Sequence, residues 1–185
     1  MSTAREPLLT FEPLIDAVTE GVEAAGWILS GLQKTTSQEY GGRWEGESSR
    51  SAYLFFHADA VDESVSVEAF LDETGRGIHG NLALVVEGPR LADLGDPRTA
   101  LVTVATAARE RLPPAYRAPV SLRLRLAHAG QSAEAATVEL RIKLRIPEAA
   151  LGAGRDAVSA LASTAVRAFE RLLEHPEVRR YGVRR

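Results

Sequence analysis

Residues 138–147, VELRIKLRIP, set Leu140, Ile142, Leu144 and Ile146 in alternation with Glu139, Arg141, Lys143 and Arg145. Successive side chains of a strand point to opposite faces, so this stretch has one aliphatic face and one that is almost wholly cationic. Residues 121–128, SLRLRLAH, repeat the pattern with Leu122, Leu124 and Leu126 against Arg123 and Arg125. As neighbouring strands, the two stretches turn their aliphatic side chains towards helices and gather Arg123, Arg125, Arg141, Lys143 and Arg145 on the opposite face. The chemistry available to such a face is anion recognition, since a guanidinium offers a planar fork to carboxylate or phosphate. Like charges on adjacent strands oppose a cross-strand term of about 0.2–1 kcal/mol per pair, so something must neutralise them. Three sources compete. Carboxylates of the same sheet are the first: Glu68 and Asp72 on the solvent face of SVEAFLD, with Glu139. An acidic protein partner, or the acidic half of a second copy, is the next. The phosphates of a nucleic acid are the last, and Arg179, Arg180, Arg184 and Arg185 would extend that surface.

A second candidate lies in EYGGRWEGE, residues 39–47, where Arg43 and Trp44 adjoin Tyr40. These residue types anchor interfaces or stack on bases, unless Trp44 folds back onto the core. Other chemistry is thinly supported. His57, His79, His128 and His175 show no spacing that would place two ligands on one helical face. Asp59, Asp62 and Glu63 lack the full ligand spacing of a calcium loop and suit an acidic turn. The stretch TGRGIHGN, residues 74–81, reads as a hairpin turn and not as a phosphate loop, and no Gly-x-Ser-x-Gly elbow is present. With no cysteine there is no thiolate nucleophile and no disulfide framework. The expectation is a protein without catalytic residues, cofactor or metal, and not an enzyme.

The surrounding charge sharpens the question. The 185-residue chain has a net charge of −3, yet residues 1–96 hold 6 Lys+Arg against 17 Asp+Glu while residues 97–185 hold 16 against 8. Arginine supplies all of the basic residues except Lys34 and Lys143. No apolar run is long enough to cross a bilayer, and the first residues lack the basic and apolar regions of a secretion signal. A cytoplasmic address without membrane association is expected.

The elements that position the cations follow from periodicity. Leu14, Ile15, Val18 and Val22 recur at helical spacing from Thr10 to a stop at Gly26. Residues 27–40 read weakly as extended. Residues 50–58, 63–72 and 77–88 read as three strands, and their short connections require an antiparallel meander. Asp96 and Pro97 open a second helix that runs to Pro113 and Pro114, with Leu101, Val104, Ala105, Ala108 and Leu112 as its inner face. After the two Arg-bearing strands, a last helix begins between Pro147 and Asp156 and stops before Pro176. The fold class is α+β: a two-layer arrangement with an antiparallel sheet and helices on one face, in the order α-(β)-β-β-β-α-β-β-α. Residues 1–176 read as a single domain and 177–185 as a basic C-terminal tail.

Over residues 10–175 this order resembles the YbjN-like and type III secretion chaperone-like superfamily. The resemblance implies a non-catalytic, usually homodimeric protein that binds other proteins or serves as a regulatory adaptor. A deinococcal branch of the superfamily is associated with DNA repair. No functional residue is carried over, because the resemblance rests on element order. The expected function is a homodimeric, chaperone-like adaptor that binds a protein partner through its solvent-facing sheet. Nucleic-acid binding by the Arg-rich hairpin and basic tail is the alternative.

Overall fold

A computed structural model describes residues 10–37, 49–90, 95–114 and 119–182. Within them the chain forms an antiparallel six-stranded sheet in the order β1-β2-β3-β4-β6-β5, together with five α-helices. The strands are β1 (Ile28–Ser37), β2 (Ser49–His57), β3 (Val65–Thr74), β4 (Gly77–Arg90), β5 (Val120–Arg125) and β6 (Thr137–Arg145). The helices are α1 (Phe11–Glu23), α2 (Pro97–Arg111), α3 (Glu148–Ala153), α4 (Arg155–Leu173) and α5 (Pro176–Gly182). The α+β class read from the sequence is therefore what the chain adopts, and the weakly extended segment is a full edge strand.

Period-two alternation decides which face is covered. Ala52, Leu54 and Phe56 of β2 are buried, as are Val65, Val67, Ala69 and Leu71 of β3. Leu82, Leu84 and Val86 of β4 and Leu140, Ile142 and Leu144 of β6 complete the inner face. In register, Ala52 stands opposite Leu71, Leu84 opposite Val67 and Ile142 opposite Leu84, so these rows run unbroken beneath the helices. From the helical layer, α1 contributes Phe11, Leu14, Ile15, Val18 and Val22, and α4 contributes Val158, Val166, Phe169 and Leu172. Fully burying one such side chain contributes about 1.5–3 kcal/mol, so this shared core dominates stability.

Two local features bring α1 and α4 together. A Cβ at Gly21 would overlap the backbone oxygen of Ser159, and at 2.8 Å it would also crowd Ala162 Cβ, so only glycine permits this crossing. Trp27, fully buried between α1 and β1, donates its indole N–H to Glu170 Oε1 of α4 at 3.0 Å. That bond satisfies the one polar group of a large buried ring.

Three expectations are revised. The last helix is two, because Gly154 takes φ +97°, a conformation that separates α3 from α4. The segment read as a tail from residue 177 is helical through Gly182, because Val178 is buried against the core and pulls α5 onto the domain. The inner face of α2 is rotated: Ala100, Val104, Ala107 and Ala108 are buried with Leu112, while Ala105 is exposed and Leu101 half-buried.

Candidate functional site

The face of the sheet turned away from the helices is the candidate site. The ladder register sets it out in rows. Gln33 of β1 stands opposite Tyr53 of β2, Tyr53 opposite Phe70, Phe70 opposite Asn81 and Asn81 opposite Arg145. The next row runs Gly31, Phe55, Glu68, Ala83 and Lys143. On β4, β6 and β5 the following row carries Val85, Arg141 and Ser121, and beyond it Glu87, Glu139 and Arg123. The five cations singled out from sequence thus share this face, all on β5 and β6.

Most of them are answered from within the sheet. Glu139 is 8% exposed and forms the hub. Arg141 donates through Nε to Glu139 Oε1 at 3.0 Å, and Arg125 donates through Nη2 to Glu139 Oε2 at 3.2 Å. Arg123 Nη1 lies 3.8 Å from Glu139 Oε1. Arg141 Nη2 also reaches Glu68 Oε2 of β3 at 2.8 Å. This bridge passes over β4, across two strand spacings of about 4.8 Å each. It can do so because the β4 residues beneath it are small: Ala83 is 4% and Val85 3% exposed although no described helix covers this face. The stems of the long side chains shield them. Arg145 pairs with Glu148 at 3.3 Å. Asp72, a candidate counter-ion in the sequence, instead accepts a hydrogen bond from Ser51 Oγ at 2.8 Å.

The remaining charge is uneven. Arg123 and Arg125 keep 62% and 70% of their side-chain surface exposed, and they share one carboxylate that Arg141 also uses. Lys143 is exposed and has no ion-pair partner among the described residues. The β5–β6 end is therefore cationic in excess, but far less so than five free cations would make it.

The other half of the face, on β1–β3, was not foreseen as a site. Ile28 is 57%, Tyr53 42% and Phe55 36% exposed, while Phe70 lies half-buried with its ring centroid 4.6 Å from that of Tyr53. In sequence these aromatics sit in the dense run AYLFFH, where alternation assigns Tyr53 and Phe55 to one face and Leu54 and Phe56 to the other. That alternation was the available signal. A tilted aromatic pair flanked by exposed apolar side chains is a common chemistry of protein interfaces.

The remaining sequence candidates are placed as follows. Arg179 is exposed on α5, on the helical side of the molecule. Arg180 belongs to the same helix. Arg43, Trp44, Arg184 and Arg185 lie outside the described residues. Among the described residues no three His, Asp or Glu side chains gather as a metal site requires, and no helix is long and apolar enough to cross a membrane. Comparison with protein-family models, with curated proteins and with solved structures finds no match to this chain.

Proposed function

We propose that this protein is a non-catalytic, homodimerising adaptor whose open sheet face is a protein-binding surface, with a second copy as its first occupant. The observation that carries the reading is the exposed cluster of Ile28, Tyr53 and Phe55 with Phe70 on a sheet face that no described helix covers. A free aromatic patch of this kind is stabilised when a partner removes it from water. Arrangement of the face favours a second copy. Aromatics occupy β2 and β3 and the cations occupy β5 and β6, so a two-fold axis parallel to the strands sets the aromatic half of one copy on the cationic half of the other. Exposed guanidinium groups then lie over exposed rings, a favourable contact.

Nucleic-acid binding loses weight on the same geometry. Glu139, Glu68 and Glu148 already hold four of the five cations. Sedimentation equilibrium tests the proposal. A dimer in the micromolar range is expected, and Phe55→Glu should weaken it about tenfold or more while leaving the thermal transition in place. A chain that remains monomeric at every concentration reached would overturn it.

A further inference from the structure

The far edge of the sheet has features that the open face does not explain. In the order β1-β2-β3-β4-β6-β5, strand β5 pairs with β6 alone, and no described strand lies on its outer side. The N–H of Lys143 donates to the carbonyl of Pro119, which fixes the phase of the ladder. Ser121, Arg123 and Arg125 therefore turn their backbone groups towards β6, and Val120, Leu122 and Leu124 turn theirs outwards. The outward residues point their side chains to the helical side, where Val120 borders an apolar groove and Leu124 stands exposed beyond it.

That groove, about 480 Å³, is lined by Leu101, Val102, Ala105, Ala108 and Leu112 of α2 and its end, with Arg109 on its wall and Val120 at its floor. Rotation of α2 creates it: the alanine-rich stripe faces the core, which leaves a second apolar stripe facing the edge. Val102 is 65% exposed, and Leu124 and Leu126, expected from sequence to lie under a helix, are 54% and 48% exposed. On the opposite side of the same edge stand Arg123 and Arg125, which share one carboxylate.

We propose that β5 and this groove receive an extended segment of a partner protein in which apolar and acidic residues alternate, added to the sheet as a further strand. Its backbone bonds to the outward groups of Leu122 and Leu124. Its apolar side chains enter the α2 groove, and its carboxylates stand opposite Arg123 and Arg125. The charge rules against a second copy here, since two β5 strands side by side would bring the arginines of both copies together. The β5 backbone and the groove lie apart from the aromatic half of the open face, but Arg123 and Arg125 belong to both surfaces, so peptide binding is measured below the concentration at which the chain associates.

A fluorescein-labelled peptide of alternating valine and glutamate, followed by anisotropy, tests the proposal against the same peptide with lysine for glutamate. The glutamate peptide should bind and the lysine peptide should not. Leu124→Pro removes an outward N–H without touching the β6 ladder, so it should leave the melting curve cooperative and weaken binding about tenfold or more. Arg123→Glu should transfer the preference to the lysine peptide, and Phe55→Glu should change nothing. Undiminished binding to a folded Leu124→Pro variant would overturn the proposal, as would no binding to the wild-type chain. It is likewise overturned if Phe55→Glu is the variant that abolishes binding, or if Leu124→Pro disrupts self-association.

Discussion

Glu139 shows how one residue can reverse the meaning of a charge pattern. In the sequence it is the lone acid among cations, and in register it stands directly opposite another acid, Glu87. It tolerates burial because Arg123, Arg125 and Arg141 converge on its two oxygens. Replacing it with glutamine leaves three guanidinium groups against a neutral amide. We expect Glu139→Gln to cost about 1–3 kcal/mol, between the values of an exposed pair and a fully buried one, as read from urea denaturation. The same variant should bind DNA more readily at low salt, because it releases the arginines. A variant as stable as the wild type would mean that the hub contributes little.

Asp96 permits a prediction about pH at the same scale. It caps α2: the Thr99 hydroxyl donates to Oδ2 at 2.7 Å, and the N–H groups of Arg98 and Thr99 donate at 3.3 Å and 3.2 Å. The Thr99 hydroxyl first, then those backbone donors, hold its carboxyl below the ordinary carboxylate value. A folded-state value below the unfolded one means that the stabilisation is present in full above the unfolded value, near pH 4, and is lost as pH falls through the folded one. Asp96→Asn should therefore flatten the decline of melting temperature below about pH 4. An unchanged acid limb would remove the cap from the account.

At the scale of elements, the sequence was legible where one periodicity ruled. The strands β3 and β6 alternate cleanly, and the Asp96-Pro97 start of α2 combines a cap with a proline at the first helical position. Legibility failed where a distant neighbour decided. Which stripe of α2 turns inward depends on the gap left beside α4 and α5, and nothing within residues 97–111 records it. Leu124 alternates as a core residue does, but β5 lies at the sheet edge, where α2 reaches only the Val120 end. The role of Trp27 depends on Glu170, 143 residues away. Gly21 is a further case, since its necessity comes from the backbone of Ser159. Gly21→Ala would raise helix propensity in an isolated α1. Here it should force α1 and α4 apart and destabilise the fold by about 1–3 kcal/mol in thermal melts. A gain in stability would show that the crossing yields easily.

For the whole molecule, the acidic first half and basic second half of the chain become adjacent regions of one sheet. Part of that opposition is resolved inside the fold, through Glu68 and Arg141. What remains unresolved at the surface is an aromatic half and a cationic half on one open face, together with the β5 edge, beside which no described strand lies. The candidate cations were legible from alternation alone, and so were Glu68 and Glu139 as their counter-ions. Which cation meets which carboxylate was not, because the Arg141–Glu68 bridge requires Ala83 and Val85 to leave room for a side chain to cross β4.

The central claim, that the open face is covered by protein, can be tested directly because the chain has no cysteine. Gln33→Cys places one thiol on that face, opposite Tyr53, and Thr164→Cys places one on the exposed side of α4. Rates of reaction with a maleimide are measured as protein concentration rises through the association range. The account predicts that the Gln33→Cys thiol becomes progressively protected while the Thr164→Cys thiol reacts at a constant rate. Equal and constant rates at the two positions, in a chain that nevertheless associates, would contradict it.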